Sequence, residues 1–544
     1  MEFLKIKPRD YQQEIFEACK EKNCLVVLPT GMGKTLIALM LAIERQRVLP
    51  GEKVLFLAPT RPLAEQHYKY FEKNLPQLFA TMFLFTGKTP SEQREKLWQS
   101  GDIIFSTPQC IANDLKHNLY DLHDVSLLIV DECHRCLKNY VYTYVAKKYH
   151  EQARHPRILG LTASPGSEKA IIQKVCENLG IETVEIRNRE SEDVKPYIQE
   201  LDFNIIKLDF PPAFQEIRNM LKVIFDKKVE ELKNRKLLFM PPTKKFLLEC
   251  QHRIMKAISS GNKHFNLLVG ASACASAIKI QHALELLETQ TLYSLQNYMH
   301  ELFQQASQGK SKAVQQLVKA PEFNHAFIAI QELVSRKIEN PKLIELKDLI
   351  EQEIKDNPKA KIIVFAQFRD TTTKIAKTLN ELKGVNAKVF VGQGKKSTGK
   401  GEETGLSQKE QQQLITEFSR GKINVLAATS IAEEGLDIPE LDVVIFYEPI
   451  PSAIRKIQRA GRTARLMPGK LIMLMIKGTR DEAYHWSAFQ KEKRMYKALD
   501  SIQEDLNNNP DYFKEQKQQK DLFDYQQENN EESEDEDENY LNDS

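Results

Sequence analysis

Short apolar runs alternate with segments of helical periodicity over the first 200 residues of the chain. Two of these runs, the one that begins at Cys24 and the one that leads to Asp131, are continuously apolar. Such runs are typical of strands buried on both faces of a parallel sheet. Each run is followed by a polar or glycine-containing turn and then by a helical segment. This order predicts a doubly wound α/β domain over residues 1–200.

The hydrophobic pattern changes near Leu201, where long helical periods replace the strand signals. We therefore predict a separate all-helical domain over residues 201–338. Strand-like runs return in KIIVFAQF and DVVIFYE, so residues 339–496 are predicted to form a second parallel α/β domain. Residues 497–544 are rich in Asn, Gln, Asp and Glu and predict a disordered acidic tail.

The net charge of +2 conceals an uneven distribution. Residues 501–544 carry 15 Asp/Glu and three Lys, a net charge of −12, which leaves +14 on the rest of the chain. A basic body indicates a polyanionic partner. The eight cysteines are scattered and are predicted to be reduced thiols, and we find neither a signal-peptide core nor 18 consecutive apolar residues. We therefore expect a cytoplasmic, nucleoid-associated protein with no membrane contact.

The turn after the first apolar run has the composition of a phosphate-binding loop. A glycine-rich turn at a helix N-terminus allows backbone N–H groups to surround phosphate oxygens. Lys34 is placed to reach the β- and γ-phosphates of ATP, and the Thr35 hydroxyl to bind Mg²⁺. The strict motif has a glycine where this chain has Leu28. The predicted ATP-binding residues of the loop are Thr30, Gly31, Met32, Gly33, Lys34 and Thr35.

Two further features complete the predicted ATP site in this domain. Asp131 and Glu132 end an apolar strand, so that Asp131 can hold Mg²⁺ while Glu132 polarises the attacking water. Gln12 precedes the loop by about twenty residues, and its amide can both donate to and accept from the edge of an adenine. The alternative is that Gln12 is a surface glutamine without a role in nucleotide binding.

Small polar residues also follow other predicted strands. Ligands bind parallel sheets at the carboxyl ends of the strands, and Thr and Arg side chains bind phosphate, so three such loops can follow one nucleic-acid backbone. The candidates in the first domain are Thr60, Arg61, Thr86, Gly87 and Thr107. Arg369 and Thr429 follow strands of the second α/β block and are candidates for the same role.

The second α/β block has no phosphate loop between a strand and a helix, but it supplies arginines. Arg462 and Arg465 lie on one helix face, where either can reach a γ-phosphate as an arginine finger, and Gln458 precedes them. Gly435 and Asp437 are further candidates for nucleotide binding. Hydrolysis would then require both blocks to close around one ATP, and closing and reopening would move a bound strand.

The helical region is basic, with 16 Lys/Arg and nine Asp/Glu between residues 211 and 322. Its basic residues include the cluster Lys233, Arg235, Lys236, Lys244 and Lys245. A cluster of this kind is either a solvated helix surface or a clamp for duplex or junction phosphates.

The motifs RDYQ, LPTGMGKT, APTR, TPQ, DECH, TAS, ATSIAEEGLDIP and QRAGRTAR stand in the order of superfamily 2 helicases. HALELLETQ, EEGLDIPELDVVIFYEPIPSAIR and KGTRDEAYHW resemble the archaeal Hef helicases, relatives of FANCM, and the resemblance covers residues 5–495. It implies two RecA-like domains, a thumb-like insertion that binds branched DNA, and ATP-driven 3′–5′ remodelling of forks and Holliday-type junctions. Hef proteins continue into an XPF-type nuclease, but the ERKxxxD pattern is missing here, so no nuclease activity is expected.

Two departures from the Hef pattern keep alternatives open. DECH replaces DEAH, and Ala464 stands where glycine is usual in the last motif. Because DECH also occurs in Dicer and in RIG-I-like proteins, a double-stranded RNA helicase or sensor is one alternative. The other is an ATP-gated clamp that binds branched DNA without unwinding it.

The tail contains one short apolar segment, QKDLFDYQ, from Gln519 to Gln526. Gln519, Leu522 and Tyr525 resemble three positions of the motif with which replication proteins dock on the sliding clamp. Gln526 stands where the second aromatic residue is usual. A clamp is therefore a candidate partner, and an incidental apolar patch or a helix docking on the motor are the alternatives.

Overall fold

The computed structural model describes residues 4–76, 78–138, 140–197, 201–392, 405–429, 441–449, 469–509 and 512–513. These residues form two parallel α/β domains and a helical insertion. The predicted fold class, two RecA-like sheets with an inserted helical domain, is confirmed.

The first domain is built on a parallel sheet whose described strands follow the order β3-β4-β2-β5-β6-β1-β7. Its strands are β1 Cys24–Val27, β2 Lys53–Leu57, β3 Met82–Phe85, β4 Ile103–Ser106, β5 Val125–Asp131, β6 Ile158–Thr162 and β7 Thr183–Ile186. Its helices are α1 Asp10–Glu21, α2 Lys34–Val48, α3 Arg61–Asn74, α4 Ser91–Ser100, α5 Pro108–Lys116, α6 Val141–Gln152 and α7 Lys169–Leu179. Strand β5 is buried along its whole length, because helices cover both faces of the sheet.

The helical insertion follows the first domain along the chain. Its helices are α8 Pro212–Asn234, α9 Lys244–Ser259, α10 Phe265–Thr289, α11 Leu292–Ser307, α12 Lys312–Val318 and α13 Pro321–Ser335. Helix α10 is, among the described residues, the one helix long and apolar enough to cross a membrane as judged by length and composition. In this structure α10 is the central helix of the insertion and packs against α8 and α9.

The second domain is built on a parallel sheet whose described strands follow the order β10-β11-β9-β12-β13-β8. Its strands are β8 Leu201–Leu208, β9 Ile362–Phe365, β10 Ala387–Phe390, β11 Val425–Ala428, β12 Val443–Phe446 and β13 Gly469–Ile476. Its helices are α14 Pro341–Asp356, α15 Arg369–Leu379 and α16 Gln408–Ser419, and a last helix, α17, spans Arg480–Asn508.

The expectation that residues 201–338 are helical throughout is corrected at its start. Residues 201–208 form β8, which pairs in parallel with β13 from Leu201 opposite Gly469 to Leu208 opposite Ile476. The chain thus adds a strand to the second sheet before it enters the insertion. The strand forms because its backbone groups find hydrogen-bond partners about 270 residues further along the chain.

The expected start of the disordered tail at residue 497 is also corrected. Residues 497–508 belong to α17, which leaves the second domain and packs on the first. Its apolar residues Met495, Leu499, Ile502 and Leu506 recur at helical spacing and are buried in the core of the first domain. Residues 514–544, including the segment from Gln519 to Gln526, lie outside the described residues.

Candidate functional site

The phosphate-loop sequence forms a tight turn between β1 and α2. Gly31 and Gly33 adopt φ of +87° and +82°, a left-handed conformation that favours glycine. A Cβ atom on Gly33 would overlap Gln12 Nε2, so a side chain there would displace the Gln12 amide from the loop. Lys34 is the first residue of α2, and its Nζ donates a hydrogen bond to the Leu28 carbonyl at 2.8 Å. The loop therefore presents a lysine at a helix N-terminus, as phosphate binding requires.

Gln12 holds this loop from the side of α1. Its Nε2 donates to the Met32 carbonyl at 3.1 Å, and the Tyr11 hydroxyl donates to the same carbonyl at 2.8 Å. Its Oε1 accepts a hydrogen bond from the Arg9 backbone N–H at 2.9 Å. Gln12 thus positions the loop, and its contact with adenine stays a prediction.

A histidine connects the two predicted Mg²⁺ ligands. His67 Nε2 lies 2.9 Å from Asp131 Oδ2, and His67 Nδ1 lies 3.4 Å from Thr35 Oγ1. Burial alone would raise the pKa of Asp131, but the hydrogen bond and charge of His67 and the charge of Lys34 outweigh burial and lower it. The carboxylate is therefore ionised, as a metal ligand must be.

Glu132 occupies a strained position at the end of β5. It has φ of +50°, which is uncommon for a residue other than glycine. His134 Nδ1 lies 3.2 Å from Glu132 Oε2 and 3.1 Å from Thr162 Oγ1. The Thr162 oxygen in turn accepts a hydrogen bond from the Ser164 backbone N–H at 3.1 Å. A continuous polar chain therefore connects the DECH and TAS motifs.

The hydroxyl oxygen of Thr30 is buried beside the loop and has no hydrogen-bond partner among the described residues. Buried polar groups are normally paired, so this oxygen is suited to a ligand. Together with Lys34, Thr35 and the ionised Asp131, the residues present fit a triphosphate with its Mg²⁺.

The predicted nucleic-acid-binding residues of the first domain lie on the other half of the same sheet edge. Thr60 and Arg61 follow β2, Thr86 and Gly87 follow β3, and Thr107 follows β4. These strands are neighbours, because the sheet order begins β3-β4-β2. Thr60 Oγ1 and Arg61 Nε are buried without a hydrogen-bond partner in the described part of the chain. The three loops are therefore adjacent, as one continuous backbone contact needs.

The second domain repeats part of this arrangement. Arg369 begins α15 after β9, and its Nη2 donates to the Gly392 carbonyl at 3.2 Å. Thr429 follows β11, which neighbours β9 in the sheet. The remaining predicted residues of this domain lie outside the described residues, namely Gly435, Asp437, Gln458, Arg462 and Arg465.

The basic cluster of the insertion divides into paired and unpaired side chains. Lys244 Nζ lies 2.8 Å from the buried Glu285, and Arg235 donates to Asn266 at 2.9 Å and pairs with Glu231 at 3.3 Å. Lys245 lies 4.0 Å from Glu249. Within the described residues, Lys233 and Lys236 form no ion pair and are exposed. Lys233, Lys236 and Lys245 are thus the members of the cluster most accessible to phosphates.

Two contacts of the site were not predicted from the sequence. His67 lies six residues beyond Arg61 on α3, and no local pattern distinguishes it from a surface histidine. Met495 of α17 places its sulfur 3.0 Å from the Ser164 hydroxyl, which donates to it. The C-terminal helix therefore contacts the TAS motif directly.

Comparison with known protein families gives matches over most of the chain. Residues 9–171 match the DEAD/DEAH box helicase family, and residues 342–467 match the helicase conserved C-terminal domain. Residues 213–340 match the family described as "Putative ATP-dependent RNA helicase, helical bundle". With two RecA-like sheets, these matches define an ATP-dependent helicase of superfamily 2.

Individual relatives show to which family within superfamily 2 the chain belongs. The chain is similar to the crystal structure of the Pyrococcus furiosus Hef helicase domain, with a TM-score of 0.69 and 41% identity, covering 89% of this chain and 100% of that one. It is 37% identical over 91% of its length to a Methanocaldococcus jannaschii protein named "Putative ATP-dependent RNA helicase". It is 33% identical over 88% of its length to the ATP-dependent DNA helicase mph1 of Neurospora crassa. The chain belongs to the Hef family of helicases.

The chain spans only part of the curated relatives it matches. It covers 61% of the length of the Methanocaldococcus protein and 42% of the Neurospora protein.

Proposed function

We propose that this chain is a 3′–5′ DNA helicase or translocase that uses ATP to remodel forks and Holliday-type junctions inside the cell. The observation that carries the proposal is that the candidate ATP residues and the candidate nucleic-acid residues occupy separate halves of one edge of the first sheet. The strands β5 and β1, which lie on either side of β6, lead to the candidate ATP residues, and the strands β3, β4 and β2 on the other side of β5 lead to the candidate nucleic-acid residues. A change at the nucleotide can therefore reach the bound strand through adjacent loops of the same sheet.

The residues of the ATP half have distinct roles in this proposal. Lys34 binds the β- and γ-phosphates, Thr35 and Asp131 hold Mg²⁺, and Glu132 orients the attacking water. When bound by these residues, Mg²⁺ would supply positive charge against the phosphate charge that develops during the reaction. Gln458, Arg462 and Arg465 of the second domain complete the catalytic site, and Gly435 and Asp437 support nucleotide binding from that domain.

The residues of the nucleic-acid half hold the strand in both domains. Thr60, Arg61, Thr86, Gly87 and Thr107 bind phosphates in the first domain, and Arg369 and Thr429 bind them in the second. Closure of the two domains around ATP shortens the distance between these two groups of residues, and reopening moves one group along the strand.

The test is ATPase stimulation by a matched set of nucleic acids. A fork, a four-way junction, a linear DNA duplex and an RNA duplex of equal phosphate content are compared at the same salt concentration, because phosphate contacts dominate affinity. We expect stronger stimulation by the fork and the junction than by either duplex. Equal or greater stimulation by the RNA duplex would contradict the proposal. Forks with a single 3′ or 5′ tail then test the polarity.

A double-stranded RNA helicase remains the second candidate, and two names favour it. The family matched by the insertion and the Methanocaldococcus relative are both called ATP-dependent RNA helicases. The RNA duplex in the same assay separates this candidate from the first.

The sliding-clamp contact is a separate proposal that concerns residues 519–526. A tethered docking motif would raise the local concentration of the motor at forks. Calorimetric titration of a peptide spanning residues 513–528 into the clamp of the host tests it, with a Leu522→Ala, Tyr525→Ala peptide as control. Absence of heat from the parent peptide, or equal heat from both, would exclude the contact.

A further inference from the structure

The insertion carries an open apolar groove on its outer surface. The groove has a volume of about 680 Å³ and is lined by residues 238–240, which follow α8, and by the α9 residues Phe246, Leu248, Glu249, His252 and Arg253. Phe239 is 73% exposed and Met240 is 50% exposed. Adjacent large apolar side chains in contact with water indicate a binding surface.

The stretch of chain that contributes the groove residues is strongly basic. Residues 227–263 contain ten Lys/Arg and three Asp/Glu. Two of these acids already have partners, because Glu231 pairs with Arg235 and Glu249 lies 4.0 Å from Lys245. The core of a protein–protein interface is depleted of lysine, whereas a surface that binds nucleic acid combines basic residues with aromatic stacking. Charge complementarity therefore favours a nucleic acid as the occupant, which under the proposed function is DNA.

We propose that Phe239 and Met240 stack on the base pair that is exposed at a DNA branch point. This inference rests on the proposed function, since it names the feature of branched DNA that the insertion recognises. In a continuous duplex each base pair is covered by its neighbours, so the groove has no apolar partner there. At a fork or junction the terminal base pair presents an open face, on which apolar side chains can stack. Lys233, Lys236 and Lys245 bind the flanking phosphates.

The helical insertion, which carries the groove, is held against the second domain by buried hydrogen bonds. The Thr371 hydroxyl of α15 donates to Gln290 Oε1 at 2.8 Å and lies 3.0 Å from the Ser294 hydroxyl of the insertion. All three side chains are buried, which makes this contact rigid. Movement of the second domain therefore moves the stacking surface with it.

The test compares the double variant Phe239→Ala, Met240→Ala with the control variant Ile328→Ala. Ile328 is 59% exposed on α13 of the same insertion, so the control removes a similar apolar side chain from a different surface. Both variants should fold, because the replaced side chains are exposed. Affinity is measured for a fork and for a linear duplex of equal length over a range of salt concentrations. A 2-aminopurine base at the branch point reports stacking by its fluorescence.

We expect the double variant to lose about ten-fold in fork affinity, the range of base stacking on side chains, and to lose the change in 2-aminopurine fluorescence. Its affinity for the linear duplex and its salt dependence should be unchanged, because no phosphate contact is removed. The control should behave like the parent.

The outcomes separate this inference from the proposed function. If the parent prefers forks and the double variant keeps that preference, the stacking role is wrong and the motor assignment stands. The same result would direct attention to a protein partner for the groove. If the parent shows no preference for forks over linear duplex, both the inference and the proposed function are wrong.

Discussion

Lys342 Nζ lies 2.9 Å from Asp481 Oδ2, and both side chains are completely buried. Lys342 lies in the first turn of α14, a helix of the second domain, and its Nζ also donates to the Thr289 carbonyl at the end of α10, at 2.6 Å. Asp481 lies in the first turn of α17 and accepts a hydrogen bond from the Ile476 N–H at the end of β13. One ion pair therefore joins the insertion, the second sheet and the C-terminal helix.

Removing one partner of this pair should destabilise the second domain strongly. Lys342→Met leaves Asp481 as a buried carboxylate without its cation, which costs about 3–5 kcal/mol. The double variant Lys342→Met, Asp481→Leu removes both charges and should regain most of the lost stability. Urea unfolding measures the free energy of unfolding of each protein. A loss below about 1 kcal/mol in the single variant would show that the pair does not join the three elements.

The contact between the insertion and α17 should weaken in acid. Burial raises the pKa of Glu285, but hydrogen bonds from His282, Lys244 and Tyr484 outweigh burial and bring it from its ordinary value of 4.5 to about 2. A carboxyl whose pKa is lowered on folding stabilises the fold above its unfolded pKa and loses that contribution as the pH falls through the folded one. The contribution of about 3 kcal/mol is therefore present at pH 7 and declines below about pH 4.5.

The variant Glu285→Gln tests this pH dependence. The difference in unfolding free energy between parent and variant should be constant from pH 7 to pH 5 and should shrink steadily below pH 4.5. A difference that stays the same down to pH 3 would mean that the hydrogen bonds, and not the charge of Glu285, provide the stabilisation.

His67 should act as a positioning residue for Mg²⁺. It contacts both Asp131 and Thr35, so His67→Ala frees both side chains to change orientation. Loss of such an outer partner typically lowers metal affinity about 10- to 100-fold. We expect half-maximal ATPase to require a correspondingly higher Mg²⁺ concentration, with the rate recovering at saturating Mg²⁺. His123→Ala, which changes an exposed histidine of the same domain, is the control. An unchanged Mg²⁺ dependence in His67→Ala would refute the role.

The arginines of the second domain should act on rate and not on affinity. Arg462→Ala or Arg465→Ala should lower kcat by about 10³-fold or more, because an arginine finger stabilises charge that develops in the transition state. ATP affinity should change little, since the phosphate loop of the first domain is intact. Single-turnover ATPase and nucleotide titration measure the two quantities. Near-parental DNA-stimulated ATPase in both variants would mean that the second domain does not complete the site.

Local patterns in the sequence were sufficient to locate the residues at strand ends. Asp131 is the last residue of a buried apolar strand, Glu132 follows it, and Lys34 comes after the loop that follows another such strand, so hydrophobic periodicity places all three at one edge of a sheet. Long-range partners were not predictable in this way. Strand β8 depends on β13, about 270 residues away, and the site contact of Met495 depends on how α17 packs against the first domain.

The charged residues of the insertion were likewise only partly predictable from local sequence. The basic cluster of the insertion is visible as a local excess of Lys and Arg, but the sequence does not show that Lys244 forms an ion pair with Glu285. This ion pair affects the choice of residues for a charge-neutralisation experiment, because replacing Lys244 would disturb the contact with α17 as well as any DNA contact. Lys233, Lys236 and Lys245 are the better set for neutralisation to Gln. Fork affinity and its salt dependence should both fall in that variant.

The central claim is that hydrolysis at the first sheet drives movement of a branch, and a fork-remodelling assay tests it most directly. A fork with labelled strands is incubated with Mg²⁺ and ATP and either the parent or Glu132→Gln, whose ATP binding should be intact. The parent should displace or regress the labelled strands in proportion to the ATP hydrolysed, and Glu132→Gln should bind the fork and leave it unchanged. A parent that hydrolyses ATP on the fork and leaves every strand in place would contradict the claim and favour an ATP-gated clamp.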